Sequence, residues 1–236
     1  MTLAKAMILA AGRGERMRPL TDSTPKPLLK VKGKPLIEWH IEALSRAGHE
    51  SVVINTAWME DRIVDALGDG SRWGMKIHYS LEGRDHGGAL ETGGGIAKAH
   101  PYLADVFWIV SADVYVPQFE FEEQAMRRFE RSGLLAHLWL VPNPPFHTKG
   151  DFGIGANGLG VDGPGADGTR WTYANVALLT KALCARIAYG QHAQLAPLLF
   201  EGMRDQRIGV ETYAGEWHNL GTPQQLEALN AATAAK

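Results

Sequence analysis

The chain of 236 residues is long enough for one large domain and too short for two comfortable ones. Its net charge of −2 at pH 7 provides no overall positive field, which argues against a nucleic-acid partner. The single cysteine, Cys184, excludes an internal disulfide and a thiolate metal cluster. No apolar run reaches transmembrane length, and the N-terminus lacks a signal-peptide pattern, so we expect a cytoplasmic protein with no membrane partner.

The first half of the chain alternates short apolar runs with helical patterns. Strands are predicted at 6–10, 51–55, 75–80 and 106–111. A helix is predicted over 35–44, where Pro35 suits the first turn and Gly48 ends the helix. A second helix is predicted over 59–67 and ends at Gly68. This alternation predicts an α/β fold with a doubly wound, mostly parallel, Rossmann-like sheet.

The second half has more glycine and proline between its predicted elements. These elements are strands at 134–141, 171–179 and 208–213, and a helix from Pro223 to the end. Residues 142–145 are rich in proline and break the first of these strands. The glycine-rich stretch 150–168 suggests short hairpins, with Asn157-Gly158 as the best turn signal. Because no repeat or linker interrupts the chain, we expect one domain over 1–236.

The most informative segment is the loop that follows the first predicted strand. It combines two glycines, Gly12 and Gly14, with three arginines and then Lys26. Glycine lets backbone N–H groups approach a phosphate closely, and the cations neutralise a polyanion. Ligands of doubly wound sheets bind beyond the carboxyl ends of the strands, which is where this loop lies. The loop therefore predicts a triphosphate-binding site.

Two common phosphate motifs do not fit this loop. A dinucleotide fingerprint needs a third glycine for close helix–strand packing, but that position holds Met17, and Pro19 follows closely. A P-loop needs Gly-Lys-Ser/Thr at a helix start, and this tripeptide does not occur in the chain. The loop instead resembles the signature of the sugar nucleotidyltransferases, Leu-Ala-Ala-Gly-x-Gly-x-Arg-x-x-Pro-Leu-Thr followed by Pro-Lys-Pro-Leu. Every fixed position of that signature is present between Leu9 and Leu28.

The resemblance implies an enzyme that joins a nucleoside triphosphate to a sugar 1-phosphate and releases pyrophosphate. It implies that 1–115 is mainly the nucleotide-binding half, and that 116–236 is mainly the sugar-binding half with a small inserted β subregion. Two catalytic residues are implied: Arg16, clamping the phosphates with a bidentate fork, and Lys26, near the α-phosphate. The implied nucleotide-binding residues are Ala11, Gly12, Gly14, Glu82 and Gly88.

A second glycine-rich segment, 88–95, comes just before a helical run. Such a helix start offers free N–H groups and a positive dipole end, although a plain helix start after a surface loop has the same pattern. The family resemblance places Gly88 against the nucleotide base and Glu82 near the edge of the base. A solvated loop carboxylate remains the alternative for Glu82.

Two positions correspond to the metal ligands of the family. The predicted strand 106–111 leads into Asp113, within Ser-Ala-Asp where the family usually has Asn-Gly-Asp. The family motif Trp-x-Asp-x-Gly-Thr occurs at 217–222, but Asn219 stands in place of its aspartate. The resemblance thus implies Mg²⁺ as cofactor, held by Asp113 and Asn219 with one negative charge fewer than usual. For a lone aspartate at a strand end, a turn or cap role stays open.

The segment 142–152 resembles a narrower group, the N-acetylmuramate α-1-phosphate uridylyltransferases, which are small single-domain enzymes of bacterial cell-wall recycling. The Leu-Glu-Thr-Gly-Gly-Gly and Leu-Ala-Pro-Leu-Leu runs also match this group. It implies UTP as the nucleotide and sugar contacts from Asn143, Asp151 and Asn175. A proline-broken connection without sugar contact is the alternative for the Asn143 region, and His147 is interpreted as a surface histidine.

Two alternatives to this function remain open. The same reaction could use another base, or another sugar or alcohol phosphate. The chain could also be a nucleotide-sugar binding protein with a weakened metal site, because Asn219 replaces the expected aspartate. The presence of both Arg16 and Lys26 favours an active enzyme. The expected partners are the two substrates, with the chain a monomer or a weak homo-oligomer.

Overall fold

The computed structural model describes residues 3–234. The strands in this range are β1 (Ala4–Leu9), β2 (Lys30–Val31), β3 (Lys34–Pro35), β4 (Ser51–Thr56), β5 (Lys76–Leu81), β6 (Leu103–Ser111), β7 (Val114–Tyr115), β8 (Ala136–Val141), β9 (Gly153–Ile154), β10 (Gly160–Val161), β11 (Thr172–Thr180), β12 (Ile208–Thr212) and β13 (His218–Asn219). The helices are α1 (Leu36–Arg46), α2 (Glu60–Leu67), α3 (Glu82–His86), α4 (Glu91–Ala99), α5 (Glu123–Ser132), α6 (Ala196–Arg204) and α7 (Pro223–Ala234). None of these helices has the length and apolar character needed to span a membrane.

The central sheet of the described range has seven strands in the order β12-β8-β11-β6-β1-β4-β5. Strands β6, β1, β4 and β5 pair in parallel, and so do β12 and β8. Strand β11 lies between β6 and β8 and runs antiparallel to both. The mostly parallel sheet predicted from the alternation of elements is confirmed. The reversal at β11 was not predicted, because hydropathy does not record strand direction.

The sheet is covered by helices on both faces. Ala6 and Ile8 of β1 belong to the core that packs against α1, α2 and α5. Met7, which points to the opposite face, belongs to the core that contains the apolar side chains of α4 and α6. Successive residues of a strand alternate between faces, and burial on both faces explains why the parallel strands are almost continuously apolar. The doubly wound architecture is therefore confirmed.

The ends of several helices follow from local sequence. Gly48, after α1, has φ of 83°, and Gly68, at the end of α2, has φ of 61°, so both predicted stops occur at left-handed glycines. Helix α7 starts with a capping box. The side-chain oxygen of Gln225 accepts the backbone N–H of Thr222 at 2.9 Å, and the Thr222 hydroxyl accepts the N–H of Gln225 at 3.4 Å.

The second half contributes β8, β11 and β12 to the same sheet as the first half. Within it, β9 and β10 form the small predicted hairpin. The hairpin turn includes Asn157, whose side chain accepts the N–H of Leu159 at 3.1 Å, and Gly158, whose φ is 76°. Helices α5 and α6 were absent from the prediction. For α5 the pattern was present, since Met126 and Phe129 are buried at helical spacing.

Candidate active site

A cleft of about 1000 Å³ opens at the carboxyl ends of β1 and β6. Leu9 and Ser111, the last residues of these two strands, lie in its wall and are paired in the sheet. Both halves of the chain line the cleft. Of the residues predicted from sequence, those in the wall are Ala11, Gly12, Arg16, Asp151, Asn175 and Asn219.

The loop after β1, here called the phosphate loop (residues 10–18), contains three arginines with different surroundings. Arg13 pairs with Glu15 at 2.8 Å, and Arg18 pairs with Asp22 at 2.8 Å. Within residues 3–234, no carboxylate lies within ion-pair distance of Arg16, whose side chain lines the cleft. Arg16 is thus the arginine of this loop whose charge is free for a bound anion.

The phosphate loop is held in shape by contacts from neighbouring segments. Gly14 has a left-handed backbone with φ of 70°, and its carbonyl accepts the hydroxyl of Thr21 at 2.9 Å. The indole of Trp58 donates to the Thr21 carbonyl at 3.0 Å, and the guanidinium of Arg13 stacks 4.1 Å from the Trp58 ring centre. Gly14 is absent from the cleft wall, so its contribution is conformational. Gly12, beside which a Cβ would meet nothing within 4 Å, keeps its backbone open to the cleft.

Lys26 and Asp113 form an ion pair that the sequence did not predict. The ammonium of Lys26 lies 2.8 Å from Oδ2 of Asp113, and only 11% of the Lys26 side chain is exposed. Burial raises the pKa of Asp113, but the charge and hydrogen bond of Lys26, together with smaller contributions from Ser111 and the Arg16 charge, more than offset this effect, so the pKa lies below its usual value. Lys26 does not line the cleft wall, and its ammonium contacts the carboxylate of Asp113.

The pairing of β7 with β13 brings Asn219 next to Asp113. Asn219 pairs with Val114, and the N–H of Leu220 donates to the Asp113 carbonyl at 2.9 Å. Oδ1 of Asp113 and Oδ1 of Asn219 are both buried, and neither has a hydrogen-bond partner in the described structure. Buried oxygens without partners are costly, and carboxylate and amide oxygens suit Mg²⁺. This donor set fits a magnesium ion with two protein ligands.

One of the predicted nucleotide contacts, that of Glu82, is corrected by its position. Glu82 is completely buried, and its carboxylate accepts hydrogen bonds from Asn55 and Leu90, so it cannot reach the edge of a bound base. Gly88 is absent from the cleft wall, which is formed instead by Ala89, Glu91 and Thr92. Gly88 directly precedes this cleft-lining segment, and its contact with the nucleotide base stays a prediction.

The predicted sugar-side residues separate into two groups. Asp151 lines the cleft, and its carboxylate accepts the N–H of Tyr173 at 2.8 Å while lying 3.0 Å from Nε2 of His147. Asn143 is absent from the cleft wall. Its side chain donates to the carbonyl of Arg170 at 2.9 Å and accepts the hydroxyl of Thr172 at 2.8 Å. These hydrogen bonds tie the loop after β8 to β11, which fits the alternative of a connection without sugar contact, and the sugar contact of Asn143 stays a prediction.

Asn175 lies in the cleft wall at an irregular point of β11. The register of β11 against β8 shifts between Tyr173 and Ala177, and Asn175 has φ of 58°. Asparagine tolerates this left-handed conformation better than most residues. At this irregular point the indole N–H of the cleft-lining Trp217 donates to the Ala174 carbonyl at 3.0 Å.

The sequence of the chain matches a known protein family. The family model described as "Nucleotidyl transferase" matches residues 5–154, which include the phosphate loop, Lys26, Asp113 and Asp151. The match covers more than half of the chain. The chain belongs to the nucleotidyl transferase family. Together with its relatives, this membership identifies it as an enzyme of the sugar-1-phosphate nucleotidyltransferase type.

Curated relatives align with almost the whole nucleotidyltransferase. An N-acetylmuramate alpha-1-phosphate uridylyltransferase of Neisseria meningitidis is 44% identical over 244 residues, which cover 98% of this chain and 99% of the relative. The protein of the same name from Caulobacter vibrioides is 30% identical over 96% of this chain and 95% of its own. The first alignment thus extends beyond residue 154, where the family match ends.

Solved structures match the fold of the nucleotidyltransferase. A candidate glucose-1-phosphate thymidylyltransferase from Bacillus anthracis superposes with a TM-score of 0.81 and 17% identity, covering 97% of this chain and 94% of that one. HddC from Yersinia pseudotuberculosis superposes with a TM-score of 0.75 and 19% identity, covering 98% and 100%. At this identity the likeness shows the fold alone.

Sequence reasoning missed three residues that line the cleft of the nucleotidyltransferase. Glu91 has φ of 62°, an uncommon conformation for a residue other than glycine, at the start of α4. The Tyr173 hydroxyl is buried without a hydrogen-bond partner in the described structure. Arg170 donates to the carbonyl of Asp151 at 2.6 Å, and its Nε is buried without a partner within residues 3–234. An arginine at the end of a glycine-rich loop is the signal that could have found Arg170.

Proposed function

We propose that this nucleotidyltransferase transfers a uridylyl group from UTP to N-acetylmuramate α-1-phosphate, giving UDP-N-acetylmuramate and pyrophosphate, in cell-wall sugar recycling. The observation that carries the reaction type is the position of Arg16. This cation lines the cleft without an ion-pair partner in the described structure, whereas both neighbouring arginines are paired. A free guanidinium beside an open glycine backbone is suited to the phosphates of a nucleotide.

The chemistry needs charge stabilisation more than proton transfer. A sugar phosphate oxygen attacks the α-phosphorus of UTP, the bond to the β-phosphate oxygen breaks, and pyrophosphate leaves. The attacking phosphate is already ionised at neutral pH, so no general base is required. Arg16 would bind the β- and γ-phosphates and stabilise the charge that develops on the leaving pyrophosphate. The backbone N–H groups at Ala11 and Gly12 would hold the nucleotide in line with the sugar phosphate.

Asp113 and Asn219 would hold Mg²⁺ through the two buried oxygens that have no protein partner in the described range. When bound, the ion supplies positive charge to the phosphate oxygens around the α-phosphorus. Lys26 contributes by binding Oδ2 of Asp113, which leaves Oδ1 directed away from the ion pair. The ammonium of Lys26 also adds a fixed positive charge behind the cleft wall.

The choice of sugar is supported by the similar proteins and by Arg170. The Neisseria relative, which is 44% identical over nearly the whole chain, is named for N-acetylmuramate. This sugar differs from N-acetylglucosamine by a lactyl ether with a carboxylate. Arg170 lines the cleft and has no ion pair within residues 3–234. It donates to the backbone carbonyl of Asp151, whereas the carboxylate of Asp151 contacts His147 and Tyr173. We assign the lactyl carboxylate to Arg170.

The test is pyrophosphate release in the presence of Mg²⁺, with each nucleoside triphosphate combined with a panel of sugar 1-phosphates. The proposal predicts the highest kcat/KM for UTP with N-acetylmuramate α-1-phosphate. A higher kcat/KM with another base or sugar would replace the proposed substrates while keeping the reaction. The matched comparison is N-acetylglucosamine α-1-phosphate, which lacks only the lactyl group.

A further inference from the structure

Glu82 is a buried carboxylate that the proposed chemistry does not use. It is the first residue of α3, and its side chain has no exposed surface. Oε1 accepts the side-chain N–H of Asn55 at 2.7 Å, and Oε2 accepts the backbone N–H of Leu90 at 2.7 Å. Burying an ionisable carboxyl is unfavourable unless its oxygens are hydrogen-bonded, so both contacts matter for keeping it there. Burial also raises the pKa of Glu82.

The hydrogen bonds around Glu82 have only one consistent direction. The backbone N–H of Ala10 donates to Oδ1 of Asn55 at 3.0 Å, so the amide nitrogen of Asn55 must face Glu82. The backbone N–H of Leu90 can only donate. Glu82 therefore has to accept at both oxygens, which an ionised carboxylate does and a neutral amide does not.

The two ends of this chain of hydrogen bonds reach two different segments of the cleft wall. Ala10 begins the phosphate loop and is followed directly by the cleft-lining Ala11 and Gly12. Leu90 lies within the 89–92 segment, whose residues Ala89, Glu91 and Thr92 line the cleft, as does Asn55 itself. We infer that Glu82 is a positioning residue, which sets the phosphate loop and the 89–92 segment at the separation a nucleotide requires, through the relay Ala10–Asn55–Glu82–Leu90.

Helix α4 packs directly on this relay. A Cβ atom at Gly95 would lie 2.5 Å from Oε1 of Glu82 and 2.7 Å from Nδ2 of Asn55, so only glycine fits there. The nearby cation Lys98 is engaged elsewhere, since it donates to the Leu81 carbonyl and to Asp85. The carboxylate is thus held by directional hydrogen bonds rather than by a contact ion pair. Such bonds fix distances between the groups they join.

Two isosteric substitutions test the relay. Glu82→Gln offers one donor and one acceptor to two N–H donors, so one hydrogen bond is replaced by a donor–donor contact. Asn55→Asp still accepts from Ala10 but places a second carboxylate against Glu82. In the double variant Asn55→Asp/Glu82→Gln, the new amide donates to the new carboxylate and accepts from Leu90. The double variant restores every hydrogen bond with the same total charge; the link between positions 55 and 82 is reversed, and the carboxylate moves to position 55, which lines the cleft.

The measurement is the dissociation constant by calorimetry for whichever of the four nucleoside triphosphates the unmodified protein binds best, together with the melting temperature. The inference rests on the proposed function only in requiring that the protein binds a nucleoside triphosphate. It does not depend on which base or sugar is used. A preference for a base other than uracil would therefore contradict the proposed function and leave this inference standing. Each single variant is expected to weaken nucleotide binding roughly tenfold or more. The double variant is expected to return to within about threefold of the unmodified protein.

The matched control is Glu211→Gln on β12. Glu211 also accepts two side-chain hydrogen bonds, from Trp139 at 2.6 Å and from His137 at 3.2 Å, but it is absent from the cleft wall. This variant should lower the melting temperature without changing nucleotide affinity. The inference is overturned if the single variants bind nucleotide as tightly as the unmodified protein. It is equally overturned if the double variant regains its melting temperature but not its affinity.

Discussion

Arg16 and Lys26 show how the positive charge is divided between the cleft wall and the ion pair behind it. Lys26 is committed to Asp113 at 2.8 Å, whereas Arg16 has no ion-pair partner in the described residues. A cation that is already paired gains little from a second anion, while an unpaired guanidinium in a partly enclosed cleft gains a bidentate contact. The binding of the triphosphate is therefore assigned mainly to Arg16 and the open backbone at Gly12.

Replacing Arg16 by alanine tests this assignment. Because the guanidinium stabilises charge that develops as pyrophosphate leaves, Arg16→Ala is expected to lower kcat about 10²–10³-fold. Arg18→Ala is the matched control, since Arg18 is half-exposed and paired with Asp22 at 2.8 Å. The control is expected to change kcat by less than about twofold. Equal rates for the two variants in a pyrophosphate-release assay would remove Arg16 from the mechanism.

Asn219 determines the charge at the proposed magnesium site. Asn219→Asp supplies a second carboxylate beside Asp113, so the Mg²⁺ concentration for half-maximal rate is expected to fall roughly tenfold. Calorimetric titration of Mg²⁺ in the presence of a non-hydrolysable UTP analogue measures the same change without turnover. Asn175→Asp adds an equal charge to another part of the cleft wall and should leave the Mg²⁺ affinity unchanged. An unaltered Mg²⁺ affinity in Asn219→Asp would place the metal elsewhere.

Arg170 is the residue assigned to the carboxylate of the sugar. Removing its charge in Arg170→Gln is expected to raise the KM for N-acetylmuramate α-1-phosphate roughly tenfold or more. N-acetylglucosamine α-1-phosphate has no carboxylate at this place, so its KM should stay nearly constant. Steady-state kinetics with both sugars on one protein preparation give the comparison. A parallel rise in both KM values would mean that Arg170 only supports the loop that contains Asp151.

Residue-level prediction is most direct where the residues concerned lie in one contiguous segment. The phosphate loop could be recognised because its glycines and Arg16 act within a few residues of one another. The burial of Glu82 and the hydrogen bonds of Asn143 could not be predicted, because their hydrogen-bond partners come from distant parts of the chain. Whether a side chain is buried depends on these distant partners, and a single sequence does not reveal them. The ion pair between Lys26 and Asp113, 87 residues apart, was missed for the same reason.

Among the elements, α4 depends most on glycine for its packing. A Cβ at Gly94 would lie 2.2 Å from the carbonyl oxygen of Gln191, whereas a Cβ at Gly88 would meet nothing within 4 Å. Gly94→Ala is expected to destabilise the protein by about 1–3 kcal/mol, since overpacking outweighs the better helix propensity of alanine. Gly88→Ala should leave the stability unchanged. Urea denaturation of both variants provides the test, and equal stabilities would contradict the packing described for α4.

The sequence predicted which strands and helices are present better than it predicted how they pair and pack. The strands of the central sheet and helices α1, α2 and α7 were predicted within a few residues of their observed ends. Their signals are local, namely apolar runs, capping residues and left-handed glycines. The pairing of β7 with β13 was not predicted, because each strand has only two residues, which is too short for a recognisable strand pattern. That pairing nevertheless places Asn219 beside Asp113.

At the scale of the whole molecule, the stability should depend on pH through His40. His40 is buried, its Nε2 lies 2.9 Å from the Val114 carbonyl oxygen, and burial lowers its pKa to about 4 although the Asp113 charge acts in the opposite direction. The folded protein therefore keeps His40 neutral, while the unfolded chain binds a proton as pH falls below 6.5. Stability is accordingly lost between pH 6.5 and 4, at about 1.4 kcal/mol per pH unit for this residue.

Urea denaturation at pH 7 and pH 4.5 measures this dependence. In His40→Gln, which retains a side-chain N–H for the Val114 carbonyl, the loss of stability on acidification should be smaller by about 2 kcal/mol. Three other histidines also have a lowered pKa, and they remain in the variant: His49, His78 and His100. The difference between the two proteins thus isolates His40. An identical loss in both would show that His40 does not resist protonation.

The fold class could be predicted for the whole molecule because the alternation of strands and helices leaves few arrangements. The division of labour between residues 1–115 and 116–236 stays a prediction. Both halves contribute strands to one sheet and residues to one cleft, as Arg16 and Arg170 illustrate. How the substrates are distributed across that cleft depends on side chains that converge from several segments, and hydropathy alone does not specify this.

The cleft is proposed to join UTP to a sugar 1-phosphate. Product analysis tests this in one reaction, in which the unmodified protein is incubated with UTP, N-acetylmuramate α-1-phosphate and Mg²⁺. UDP-N-acetylmuramate and pyrophosphate are expected in equal amounts, identified by mass spectrometry and by phosphate assay. Tight binding of UDP-N-acetylmuramate without any pyrophosphate from UTP would contradict this proposal, and would identify a nucleotide-sugar binding protein in which Asn219 has weakened the metal site.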